Sequence, residues 1–469
     1  MKNLVYIFAD QWRRSSVGFQ GEPIQTPNFD SFAKNNIYCT NAVSSCPLCS
    51  PYRASLITGK YARNTGVVTN CKPSIPMRLA DEEISIATVL KDQGYATSYI
   101  GKWHMDTPEE RTHAFPTCGA TGWDAYTPPG KGRQGFDFWH SYGAANKHNS
   151  GQHYWENSPE KIVTDKWSPE HETDVALDFV SKNKEKPFAF FMSWNPPHPP
   201  YEEVPQKYLD LYPEDVPMKG NVDTTHIVNE RSPVTGNPLS EEEVKLRHRQ
   251  YYAAISGLDE QFGRIIAYLK ENNLLENTYV VVSSDHGDML GSHGYSGKHI
   301  WYEESLGIPF LIGGPSLPSG CCETVIGTED VMPTLLDLMG ISCPNTVDGE
   351  SCGEALRTLV TQKEKFAYLG CFPGATESYV KDGRNVIPQD FGWRGIRSLK
   401  HTFAAFMDYD CDYDRPIEYY FYDLEADPLQ MNPLRENFKD NPIALQMYQD
   451  LKKILEKQQD GFLQFMKER

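Results

Sequence analysis

The chain contains no apolar run approaching the roughly 20 residues of a membrane-spanning helix. The run Leu4–Ala9 is shorter than the hydrophobic region of a secretory signal and meets Asp10 at once. No membrane partner and a cytoplasmic location are therefore expected. Basic residues are also scarce: 45 Lys and Arg stand against 63 Asp and Glu, a net charge of −18. That balance argues against nucleic acid as a partner, because such binding needs a basic surface. It would also repel a small anionic substrate at long range, so any anion site must concentrate Arg and Lys locally. The eleven cysteines lack framework spacing, which fits reduced thiols rather than a disulfide scaffold. Internal repeats and low-complexity tracts are missing. What is present is ordinary globular composition, 39% hydrophobic and 23% charged. A length of 469 residues suits one large domain with a smaller companion.

Strand-like and helix-like segments alternate through most of the chain. Apolar runs at Asn3–Ala9, Tyr95–Ile100, Pro187–Trp194 and Thr278–Ser284 predict buried parallel strands, with a shorter one at Ile308–Ile312. Helices are predicted from Thr26-Pro27, over Ile84–Gln93, over Asp174–Lys182 and from about Val244 to Asn272. A long stretch from about Asp106 to Lys166 reads as loops, and a Pro-rich acidic insertion runs to about Glu243. The fold class expected is α/β, a large and mostly parallel sheet sandwiched by helices. Past residue 360 the texture changes to short alternating segments at Phe366–Phe372, Trp393–Leu399 and Tyr419–Leu424, then a helix from about Pro442 to Met466. This predicts a catalytic unit over 1–360 and a smaller α+β unit with an antiparallel sheet over 361–469.

Four of the strands end in polar clusters: Asp10-Gln11, Lys102 with His104, His198, and Asp285-His286. If the strands are parallel, all four meet at one sheet edge, where ligands of such sheets sit. Asp10, Gln11, Asp285 and His286 offer two carboxylates, an amide oxygen and an imidazole, a set suited to a divalent cation. Between the first two strands lies Cys49-Ser50-Pro51-Tyr52-Arg53-Ala54-Ser55-Leu56-Ile57-Thr58-Gly59. Ser50 is a good N-cap, Pro51 suits the first helical position and Gly59 can end the helix. Cys49 would then precede a helix N-terminus and face Arg53, a setting that favours an anion. Cys46-x-x-Cys49 also admits half a zinc site or a redox pair, although no second such motif completes it.

The stretch from Cys49 to Gly59 resembles the signature of type I sulfatases, within the alkaline phosphatase superfamily. Tyr52 departs from the small residue usual at that position. The resemblance implies that Cys49 is oxidised to formylglycine by a maturase and that its hydrated aldehyde is the nucleophile. Asp10-Gln11 and Asp285-His286 match the family's two metal-binding pairs. Together with the oxygen of modified Cys49 they imply one divalent cation, calcium first, with manganese or magnesium as alternatives. Gly101-Lys102-Trp103-His104 is similar to a family motif that supplies an anion-binding lysine and a histidine on the nucleophile. Lys298 resembles the lysine on the ester oxygens and His198 the histidine near the leaving oxygen, while Asn70 matches a polar substrate contact. The implied catalytic set is Cys49, Arg53, Lys102, His104, His198 and Lys298, with Lys102, His198, Lys298 and Asn70 binding substrate.

The resemblance implies hydrolysis of a small sulfate ester, with a sulfated sugar as the first expectation. Phosphonate monoester hydrolases of the same superfamily share the Asp-Gln and Asp-His pairs, so phosphorus esters stay open, as do aryl and steroid sulfates. A thiol enzyme using unmodified Cys49 and a non-catalytic anion binder are further alternatives. His153, Trp155, Trp167 and Trp393 suit stacking on a ring of the leaving group. Oligomeric state is not legible in the sequence.

Overall fold

The computed structural model describes residues 1–113, 116–225, 228–229, 232–235, 239–381 and 383–466. The eight-stranded main sheet is built from β1 (Asn3–Asp10), β2 (Ile37–Cys39), β3 (Ala96–Lys102), β4 (Phe138–Tyr142), β5 (Phe188–Pro197), β6 (Thr278–Ser284), β7 (Phe310–Gly313) and β8 (Gly320–Cys322). Their order is β8-β2-β7-β6-β1-β5-β3-β4. The five strands from β6 to β4 run parallel, and β7 turns antiparallel against β6 and β2. The four predicted parallel strands are thus adjacent. β4 lies inside the stretch read as loops. It is a short edge strand whose apolar residues are too few to show a period.

Along β1 the side chains alternate between two cores. Val5, Ile7 and Ala9 join one with the helices α4 (Ser168–Asn183) and α5 (Glu241–Glu271). Leu4, Tyr6 and Phe8 join the other with α2 (Cys49–Thr58) and α6 (Val331–Met339). Two further helices, α1 (Pro27–Asn35) and α3 (Ile86–Asp92), complete the layers. A capping box starts α5: Glu243 N donates to Ser240 Oγ and Ser240 N to the Glu243 carboxylate. Tyr251, on the core face of α5, donates from its hydroxyl to Gln11 O at 2.7 Å and accepts from Arg13 N. A helix packed for hydrophobic reasons therefore also pins the turn after β1.

The C-terminal part holds an antiparallel sheet, β9 (Ala367–Cys371), β10 (Gly392–Arg397), β11 (His401–Met407) and β12 (Glu418–Asp423), in sequence order. Helix α7 (Pro442–Lys457) packs on it. The predicted helix to Met466 ends early. Gln459 adopts φ +51, and a 3-10 turn over Gly461–Met466 follows. Among the described residues no helix is long and apolar enough to cross a membrane. The acidic insertion before Glu243 falls partly outside the described residues.

Candidate active site

Parallel pairing of β1 with β6 runs in register from Asn3 opposite Thr278 to Ala9 opposite Ser284. Each strand contributes its next residue at the same level, so Asp10 and Asp285 meet. Asp285 N bonds Ala9 O at 3.1 Å, and Gln11 N bonds Asp285 Oδ1 at 2.9 Å. The register thus lines up two carboxylates that repel unless something positive lies between them.

Helix α2 brings that positive group. It starts at Cys49 itself, two residues earlier than Ser50 capping would allow, with Leu48 extended before it. Ser50 is not the cap. Its Oγ accepts from Cys71 N, while its N–H goes to Asn70 Oδ1 at 3.1 Å. Gly59 ends the helix at φ +68, as expected. Tyr52, the departure from the family pattern, is fully buried beside Phe8, with its hydroxyl 3.4 Å from that of Tyr6. One turn past Cys49, Arg53 Nη2 lies 3.0 Å from both Asp10 Oδ2 and Asp285 Oδ2. Its Nη1 donates to Lys102 O and Ser193 Oγ, each at 2.6 Å.

Around this clasp the other expected residues gather. Cys49 Sγ is 3.7 Å from Asp10 Oδ1 and 3.4 Å from His286 Nε2. Asp10, Cys49, Asp285 and His286 each present a ligand atom within 4.8 Å of the others, all buried. Lys102 Nζ reaches Asp10 Oδ2 at 2.7 Å and Asn195 Oδ1 at 3.2 Å. Lys298 Nζ donates to Gln11 Oε1 at 2.5 Å. Cys49, Asn70, Lys102, His104, His198 and Lys298 all line one cleft of ≈ 860 Å³.

The charges set one another. Burial and Asp10 push the Cys49 thiol up, but Lys298, Lys102 and His286 outweigh them and hold it well below the usual thiol range. Burial likewise opposes ionisation of Asp10, yet Lys102 and Arg53 keep it well below the carboxylate range. Asp285 goes the other way: burial and the Asp10 charge push it up to about 6. Burial, then Lys102 and Lys298, depress His198, so its imidazole is neutral. Burial also lowers His104, whose Nε2 lies 3.1 Å from Cys71 O. Two carboxylates, an imidazole and an ionisable residue 49 form a donor set that fits a divalent cation.

Several site residues were not legible in advance. Asp288 accepts from Gln11 Nε2 at 2.7 Å and from the Tyr201 hydroxyl at 2.5 Å, so it fixes the amide that meets Lys298. Asn195 positions Lys102, and Ser193 positions Arg53. The stacking residues need correction. Trp155, Trp167 and Trp393 are buried and pack the loops and the C-terminal sheet, whereas His153 does line the cleft. The exposed ring in the cleft is Trp123.

The family model described as Sulfatase matches residues 2–341. The chain belongs to the sulfatase family. It is an enzyme, a sulfuric ester hydrolase. A second model, described as N-sulphoglucosamine sulphohydrolase, C-terminal, matches residues 291–459 of this sulfatase. The chain is 31% identical to an endo-4-O-sulfatase of Bacteroides thetaiotaomicron over 98% of its own length and 92% of the relative's. It is 33% identical to an ulvan-active sulfatase of Formosa agariphila, covering 92% and 76%. Among solved structures it resembles the sulfatase YidJ of Bacteroides fragilis, with 33% identity, coverage of 100% and 98%, and a TM-score of 0.85.

Proposed function

We propose that this sulfatase removes sulfate from a sulfated carbohydrate, using Cys49 converted to formylglycine by a maturase. One observation carries the reading: residue 49 shares a 4.8 Å cluster with two carboxylates and an imidazole, beside Arg53, Lys102 and Lys298. The ulvan-active relative supports a sugar as the leaving group. Asp10, Gln11, Asp285 and His286, with the oxygen on residue 49, would hold one divalent cation. Calcium suits the oxygen-rich set, ahead of manganese or magnesium. Once bound, the cation supplies Lewis acidity that lowers the pKa of a neighbouring hydroxyl.

This chain's residues do the rest. Asp285 takes the proton from one hydroxyl of the hydrated aldehyde, and Arg53 stabilises the resulting oxygen. That oxygen attacks sulfur in line as the bond from sulfur to the sugar oxygen breaks. Lys102 and Lys298 hold the non-bridging oxygens, a preorganised charge stabilisation. His198 is neutral beside two lysines; the arriving anion raises its proton affinity, so it takes a proton from water and passes it to the leaving sugar oxygen. His104 lines the cleft with residue 49 and is free at Nδ1 to meet its oxygen, and Asn70 borders the substrate while fixing the start of α2. The second hydroxyl then gives its proton to His198, which is free again after protonating the sugar oxygen; the bond from carbon to the sulfate oxygen breaks, sulfate leaves as the aldehyde returns, and water adds to restore the diol. We also place the divide between catalytic and C-terminal units near residue 360.

The test is sulfate release by protein produced with a formylglycine-generating maturase. Its substrates are sulfated mono- and disaccharides beside aryl and steroid sulfates and an aryl phosphonate. The highest kcat/KM is expected on a sulfated sugar. A higher value on the phosphonate would make the site a phosphonate monoester hydrolase. Intact mass of the same sample reads residue 49, and full turnover with an unmodified thiol would remove formylglycine from the mechanism.

A further inference from the structure

Among the described residues the cleft is lined by Lys102, Lys147, Lys161 and Lys298 and by no aspartate or glutamate. In a chain carrying 63 acids against 45 bases, this is the local concentration of charge that an anion site requires. Two of the lysines are accounted for at the reacting end, where Lys102 meets Asp10 and Lys298 meets Gln11. The other two belong to the loops between β3 and α4. Lys147 is exposed. Lys161 donates to the backbone oxygen of Gly119 and stands 5.4 Å from the Trp155 ring centre. Among the described residues neither has an acidic side chain in salt-bridge range.

A buried carboxylate sets this wall. Asp124 Oδ1 accepts from the backbone of Ala125, Gly143 and Ala144, and its Oδ2 lies 2.6 Å from His153 Nε2. Asp124 therefore ties three loop segments together and holds the His153 ring in the cleft lining. Trp123, 44% exposed, stands next to it with its ring centre 6.0 Å from that of His104. A flat exposed ring beside the reacting groups suits the face of a sugar. Cations free of acidic partners lie in the same lining.

We propose that Trp123, Lys147, His153 and Lys161 form a subsite for a second anionic group, on the sugar next to the one that loses its sulfate. The ligand chemistry is a carboxylate or a second sulfate. This rests on the carbohydrate sulfatase reading and deepens it. The preferred substrate is then a polyanionic oligosaccharide rather than a singly sulfated sugar.

Calorimetric binding tests the subsite without turnover, using protein with unmodified Cys49. Three disaccharides share one sulfate and differ in the neighbouring sugar: neutral, uronate or sulfated. The two with a second anion are expected to bind about tenfold or more tighter than the neutral one. Whichever binds tighter identifies the anion. In Lys147→Ala/Lys161→Ala that preference should fall to near unity, and it should weaken with added salt in the parent protein. Equal binding of all three by the parent protein, or an unchanged preference in the double variant, would overturn the subsite. Turnover by matured enzyme reads the other claim separately. A binding preference without sulfate release from any of the three would sink the sulfatase mechanism and leave the subsite standing.

Discussion

At residue 53 a single guanidinium makes the site's geometry affordable. Asp10 and Asp285 are both fully buried, and Arg53 Nη2 is within 3.0 Å of each. Removing one partner from a buried ion cluster typically costs about 3–5 kcal/mol, since the remaining charges lose their compensation. Arg53→Ala is therefore expected to lower stability by about that amount in urea titrations. Arg53→Lys should recover only part, because an ammonium cannot present the planar fork that also reaches Ser193 and Lys102 O. A fully stable Arg53→Ala would contradict the clasp. Arg53, Lys102 and Lys298 were legible because each sits in a short sequence motif, whether at the end of β3, as Lys102 does, or within α2, as Arg53 does. Asn195, Ser193 and Asp288 were not, because their roles depend on strand register and on which way a side chain points. The buried tryptophans were misread for a related reason: aromatic content does not tell a packed ring from one facing a cleft.

Secondary-structure elements supply the distances. Strand β3 delivers Lys102, and the residue before it, Gly101, adopts φ +92 where an added Cβ would lie 2.2 Å from Ser193 O on β5. A side chain there forces β3 and β5 apart just where Arg53, Lys102 and Ser193 interlock. Gly101→Ala should cost about 2 kcal/mol or more and reduce kcat/KM by displacing Lys102. Gly66 is the control. It has φ +75 but open space around its Cβ position, so Gly66→Ala should cost only about 1 kcal/mol and leave kcat/KM alone. Equal effects of the two substitutions in melting and kinetic assays would refute the interlock. The four main strands were readable from continuous apolar runs. The start of α2 was not, because the Ser50 hydroxyl that looked like a cap is taken by Cys71 N.

Over the whole molecule, buried charge links the signature loop to distant segments. Glu329 accepts from Ser45 Oγ at 2.5 Å, and burial, then Asp330, push its carboxyl from 4.5 up to about 8. It is neutral in the folded chain near pH 7 and ionised in the unfolded chain. Stability from this group is full below about pH 4.5 and declines as pH rises to about 8, above which the loss is constant. Glu329→Gln keeps a neutral acceptor and should remove the decline. Its melting temperature should exceed that of the parent by about 2 °C at pH 8 and match it at pH 4. A constant difference across that range would contradict the shift. The C-terminal sheet is joined to the rest in a similar way. Asp460 pairs with Arg394 at 2.7 Å and with Arg63, next to α2, at 3.2 Å.

In the proposed mechanism the group on residue 49 attacks the ester. Sulfate release from a sulfated disaccharide by maturase-treated Cys49→Ala, beside the parent protein prepared alike, measures this directly. A loss of at least about 10³-fold in kcat, with the substrate still bound, is the predicted result. Sulfate release by Cys49→Ala at a rate near that of the parent would contradict it.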